Sequence, residues 1–185
     1  MGAPTNPPAP PAMVAERARG IRLLACDVDG VLTDGSVIVH GDGTESKQFN
    51  IRDGAGIVWA QRAGLSIGLL SARLAEATAV RAAQLGISIV AQGTADKLAG
   101  YDQILKDAGL TDEQVGYMGD DLQDLPVLRR AGFSAAPADA APEVLAAVQW
   151  VSASGGGRGA VRECIEHVLR AQGIWRAAVG DYLGS

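Results

Sequence analysis

Between about residue 18 and residue 173, short apolar runs alternate with stretches of helical period, and the runs end on polar or acidic tips. That alternation implies βαβ units, because parallel strands must be joined by crossovers, and so a parallel sheet covered on both faces. The strand candidates are Leu23 to Cys26, Leu65 to Leu70, Ile87 to Ala91, Val115 to Met118 and Phe133 to Ala136, with a weaker one at Trp150. Helix punctuation fits between them. Asp53 can cap a helix that Gly64 stops, Gly86 ends one from about Leu74, and Thr94 opens one closed by Gly109. Gly132 follows a helix after Asp121, and Pro142 suits a first turn. The expected fold class is α/β, a doubly wound, Rossmann-like parallel sheet.

One segment breaks the pattern. Residues 37 to 49 read as two short strands around Gly41-Asp42-Gly43, a β-hairpin inserted after the first strand. At 185 residues the chain suits one domain, expected over residues 18 to 173. Five prolines within the first eleven residues predict a disordered tail over residues 1 to 17, and residues 174 to 185 are expected to lie loosely on the surface.

Composition removes several function classes. The net charge of −5 argues against a broad grip on nucleic acid, and no apolar run is long enough for a membrane span. Cys26 and Cys164 cannot make a disulfide framework, and His40 and His167 cannot build a zinc cluster. With no basic start followed by an apolar run at the N-terminus, a cytoplasmic location is expected. Cys26 is expected to be an inert buried thiol, and Trp59, Trp150 and Trp175 packing or interface residues.

The first strand runs into Asp27-Val28-Asp29-Gly30, two carboxylates at the end of the sheet where open α/β folds bind ligands. The fourth ends in Gly119-Asp120-Asp121. Acidic tips on separate strands would repel one another, and a hard cation such as Mg²⁺ resolves the repulsion. Ser71 at the second strand tip adds a hydroxyl, and Lys97, inside the helix after the third, adds a cation; together they suit a phosphate group. A lone Asp-x-Asp would be a turn or cap more often than a site, and it is the conjunction that points to chemistry.

Asp27-Val28-Asp29-Gly30-Val31-Leu32-Thr33-Asp34, Ser71, Lys97 and Gly119-Asp120-Asp121 resemble the four motifs of the haloacid dehalogenase superfamily. The resemblance implies that Asp27 is a nucleophile forming an aspartyl-phosphate and that Asp29 is general acid, then base. It also implies Mg²⁺ held by Asp27, the Asp29 backbone carbonyl and Asp120. Ser71, Lys97 and backbone amides would neutralise the phosphoryl oxygens. Only 41 residues separate Asp29 from Ser71, and 21 separate Lys97 from Gly119, so neither gap holds a cap domain.

Phe49-Asn50-Ile51-Arg52-Asp53-Gly54, Gln92-Gly93 and Gly156 to Glu163 are similar to the capless 3-deoxy-D-manno-octulosonate 8-phosphate (KDO8P) phosphatases. This implies a homotetramer centred on hairpin 37 to 49, a role in lipopolysaccharide biosynthesis, and substrate contacts from Asn50, Ile51, Arg52, Asp53, Gly54, Arg73, Arg81 and Lys97. Asp121, Asp124 and Arg158 are secondary candidates. Two positions depart from the pattern: Ser71-Ala72-Arg73 stands where Thr-Gly-Arg is usual, and Val58 replaces a common arginine. A nine-carbon sugar acid 9-phosphate therefore competes as substrate, and a phosphoacceptor domain or a non-enzymatic scaffolding relative remains as an alternative class.

Overall fold

The computed structural model describes residues 11–184. Its central sheet joins β1 (Leu23–Cys26), β4 (Ser66–Ser71), β5 (Ile89–Gln92), β6 (Val115–Met118), β7 (Phe133–Ala136) and β8 (Trp150–Val151). These lie in the order β5-β4-β1-β6-β7-β8, and every pairing is parallel. The strands inserted after β1 are β2 (Ile38–Val39) and β3 (Glu45–Ser46), a separate antiparallel pair. They turn at Gly43, whose φ of 85° is one that glycine tolerates.

Strand alternation sorts the core into two layers. Leu24 and Cys26 face one side, where they meet α1 (Pro11–Gly20), α2 (Ile51–Arg62), α3 (Glu76–Gln84) and α7 (Ala160–Ala171) through Val14, Ile57, Ala82 and Ile165. Leu23 and Ala25 face the other, packing with Tyr101 and Ile104 of α4 (Lys97–Ala108) and Leu128 of α5 (Leu125–Arg130). This is the doubly wound α/β fold that the sequence predicts. Cys26 is buried as expected, and burial pushes its thiol pKa well up, so it carries little thiolate.

Two helix starts differ from the sequence reading. Asn50, not Asp53, caps α2, its side-chain oxygen accepting from the Arg52 N–H at 2.8 Å. Asp96, not Thr94, caps α4 by accepting from the Leu98 and Ala99 N–H groups. Both are short polar side chains directly before the first helical turn, where free N–H donors need acceptors.

Both ends also depart from expectation. Residues 1–10 lie outside the described residues, but 11–20, expected in part as tail, form α1. Pro11 sits in the first turn, where its missing N–H costs nothing, and Val14 and Ala18, one turn apart, bury against α7. Residues 175–183, expected to be loose, form α8 (Trp175–Leu183), followed by Gly184. Trp175 meets Trp59 edge-on at 6.1 Å, and the Arg162 guanidinium lies 4.0 Å from the Trp59 ring centroid and 5.5 Å from that of Trp175. Trp175→Ala should therefore cost about 1–3 kcal/mol. A lower urea midpoint at unchanged m-value would show it; an unmoved midpoint would mean that α8 adds nothing to the core.

Candidate active site

Cys26 is in register with Leu69 on one side and Met118 on the other, so the residues just beyond these strands converge at one sheet edge. Asp27 continues β1, its N–H donating to the Met118 carbonyl at 2.9 Å. Its carboxylate is 2% exposed and held at both oxygens: Oδ1 accepts from the Val28 N–H at 2.7 Å and Oδ2 from Lys97 Nζ at 2.7 Å. Lys97 also donates to Asp124 Oδ1 at 2.5 Å. Burial works against the ammonium, but the carboxylates of Asp27 and Asp124 overcome it and leave the Lys97 pKa raised.

Asp124 carries more of the site than a secondary role implies. Its Oδ1 takes the Lys97 ammonium and the Tyr117 hydroxyl, at 2.6 Å, and its Oδ2 takes the N–H groups of Asp120 and Asp121, both at 3.1 Å. A carboxylate has about four acceptor positions, and all are used. Asp124 thus fixes Lys97 and shapes the loop bearing Asp120. The sequence reading passed over Tyr117; the available signal was a hydroxyl-bearing aromatic two residues before Gly119 in an otherwise apolar strand.

Carboxylate oxygens of Asp27, Asp120 and Asp124 lie within 4.8 Å of one another. Asp120 Oδ1 is buried with no hydrogen-bond partner. Burial first, then the charges of Asp27 and Asp124, push the Asp120 carboxyl up to about 7; burial raises Asp27 to about 6 against the pull of Lys97. An orphaned buried oxygen beside a second carboxylate suits a hard divalent cation. With Asp124 saturated, Asp27 and Asp120 are the side chains left to hold it. Gly30 permits the approach: a Cβ there would fall 1.9 Å from Asp120 Oδ2, and its φ is +84°.

Asp29, two residues on, turns its side chain toward the hairpin. Its Oδ1 accepts from Lys47 Nζ at 2.5 Å, and Arg73 Nε lies 3.6 Å from its Oδ2. Arg73 also donates to Glu45 Oε2 at 2.6 Å. Ser71 is buried, its Oγ accepting from the Arg73 N–H at 3.2 Å, which leaves the hydroxyl proton free for an anion. Ser71 thus lies at the end of β4, the strand beside β1, and Arg73 stands next to Asp29.

The other expected contacts are dispersed. The Asp53 carboxylate accepts from the Gly159 and Arg162 N–H groups at the start of α7, so it clamps the glycine-rich loop instead of facing Asp27. Gly54 packs under Arg81, whose Nη2 would lie 2.5 Å from an added Cβ, and Arg81 donates to Gln84 Oε1 at 3.3 Å. Asn50 bridges to the Gly157 carbonyl at 3.1 Å. Ile51, Arg52 and Asp121 are exposed, and Arg158 reaches Asp34 at 3.7 Å. The loop of Arg158 rests on the first motif of its own chain: the Gly157 N–H donates to the Val31 carbonyl at 2.9 Å, and a Cβ at Gly156 would strike the Gly30 carbonyl.

Residues 66–163 match the family described as haloacid dehalogenase-like hydrolase. The chain belongs to that family, and it is a phosphoric monoester hydrolase. It is similar to the 3-deoxy-D-manno-octulosonate 8-phosphate phosphatase KdsC of Yersinia pestis, at 43% identity over 90% of this chain and 89% of that one. The KdsC of Escherichia coli K12 is 42% identical over 92% of this chain and 90% of its own. Among solved structures, the KDO8P phosphatase of Moraxella catarrhalis in complex with magnesium ion, phosphate ion and KDO has a TM-score of 0.89 at 35% identity, covering 91% of this chain and 97% of that one.

The raised carboxyls set a pH dependence. Because Asp27 and Asp120 bind protons more tightly folded than unfolded, the cation-free protein should lose stability as pH climbs from 3.8 through about 7, with no further loss from these groups above that. Mg²⁺ binds the ionised pair, so it should raise Tm more at pH 8 than at pH 5. Equal shifts at both pH values would show that these carboxylates do not take the cation.

Proposed function

We propose that this chain is a Mg²⁺-dependent phosphatase that hydrolyses KDO8P through an aspartyl-phosphate on Asp27. The reading is carried by the buried Asp27 carboxylate, pinned at the β1 tip by Lys97 next to the orphaned Asp120 oxygen. Similarity to KdsC enzymes over nine-tenths of the chain supports the substrate.

An Asp27 oxygen attacks phosphorus while the ester oxygen departs and takes a proton from Asp29. Asp29 then accepts a proton from the water that attacks the same phosphorus, which releases phosphate and restores the Asp27 carboxylate. Lys97 and the Ser71 hydroxyl offset the phosphoryl charge, so that a carboxylate can approach a dianion. Mg²⁺ would be held by the Asp27 carboxylate, the Asp29 backbone carbonyl and Asp120, and supplies positive charge against the phosphoryl oxygens.

The sugar acid also carries a carboxylate. Arg73 at the strand end, Arg52 and Asn50 at the start of α2, and Arg158 on the glycine-rich loop are the groups suited to it. Ile38 and Val39 on the hairpin are 55% and 72% exposed, and Ile51 and Leu74 are 83% and 79% exposed. Such apolar exposure supports assembly of hairpins into a homotetramer that closes each site.

Asp27→Asn should abolish turnover and shrink the cation-dependent Tm shift while leaving the fold in place; turnover by that variant would remove the covalent mechanism. Phosphate release should be greatest with KDO8P and vanish in EDTA. Val58 leaves α2 one cation short of the usual pattern, so nine-carbon sugar acid 9-phosphates belong in the same assay. Release confined to hexose phosphates would overturn the substrate assignment.

A further inference from the structure

Lys47 is a buried cation that none of the strand-tip motifs supplies. It follows β3 on the returning limb of the hairpin, its side chain is 0% exposed, and its Nζ donates to Asp29 Oδ1. Taking an ammonium and its long stem out of water is costly unless a charged partner compensates, and that partner is Asp29.

The other Asp29 oxygen is in the opposite condition. Oδ2 is buried without a hydrogen-bond partner, and Arg73 Nε stands 3.6 Å away, beyond hydrogen-bond range. Glu45, two residues before Lys47, holds the Arg73 guanidinium. The hairpin thus grips one oxygen of Asp29 directly and steadies the cation beside the other.

We infer that Lys47 is a positioning residue for the acid–base work of Asp29: its bond to Oδ1 sets the carboxyl rotamer that leaves Oδ2 to exchange protons. The inference rests on the role proposed for Asp29 above. As the phosphorus bond to Asp27 forms and the ester bond breaks, the Oδ2 proton goes to the departing alkoxide; Oδ2 then takes a proton from the attacking water. Without Lys47 the carboxyl is free to rotate, and the oxygen that meets the leaving group is no longer fixed.

Leaving groups separate positioning from a structural role. p-Nitrophenolate departs without a proton, whereas an alkoxide needs one, and kcat/KM reports only the steps up to alcohol release. Lys47→Met should lower kcat/KM about tenfold or more for whichever sugar phosphate the enzyme turns over, a share of the general-acid contribution. It should lower that for p-nitrophenyl phosphate by less than about threefold, and Lys47→Arg should recover most of the loss by restoring a charged donor. Equal losses on both substrates, or none, would overturn the inference. Should Lys47→Met fail to fold by circular dichroism, Lys47→Gln is read by the same criterion. Asp29→Asn distinguishes the two levels. If it spares alkyl phosphates, the acid–base role of Asp29 falls and the inference with it; if it is selectively impaired and the Lys47 variants are not, only the role of Lys47 falls.

Discussion

Lys97 is held between two buried carboxylates, Asp27 and Asp124, and the rest of the site is arranged around that arrangement. A lone carboxylate buried at the β1 tip would take up a proton; an ammonium at hydrogen-bond distance opposes this. Lys97 comes from the first turn of α4, whose start is fixed by the Asp96 cap, so the cation is delivered by a helix and not by a loop. Asp124 balances the second half of the charge and draws on the Tyr117 hydroxyl from the floor of the sheet. The core strand, the helix cap and the Asp27 carboxylate are therefore one mechanical unit.

Close backbone approach is the second constraint. Gly30 lets the first motif pass against Asp120, Gly119 lies where a Cβ would fall 2.5 Å from the Asp124 side chain, and Gly156 sits on the Gly30 carbonyl. Three segments distant in sequence thereby stack around the strand ends. Asp53 completes the stack from α2, using buried hydrogen bonds to hold the start of α7, and burial raises its own carboxyl pKa. A carboxylate at a helix N-terminus also meets the positive end of the helix dipole, which offsets part of the burial cost.

The hairpin carries two kinds of group. Glu45 and Lys47 reach Arg73 and Asp29, while Ile38 and Val39 are exposed. One element thus brings charged groups to Asp29 and leaves apolar side chains exposed.

Features that depend on local pattern were legible directly in the chain. The apolar runs placed β1, β6 and β7 at their observed limits, and the strand tips offered Asp27, Asp29, Ser71 and Asp120 as candidates, with Lys97 in a helix start, because side-chain period and turn chemistry act over a few residues. Packing alone decided the surroundings of Asp124, Tyr117, Lys47 and Asp53, because each meets its partner on another element. Asp124 meets Lys97 across 27 residues, and Asp53 meets Arg162 across 109. The end helices escaped for a related reason: prolines mask α1 and a short apolar stripe marks α8, and each is ordered by the surface that it covers. Local sequence encodes which atoms are available; only the packed chain decides which of them are taken out of water together, and that desolvation is what gives a carboxylate or an ammonium its strength.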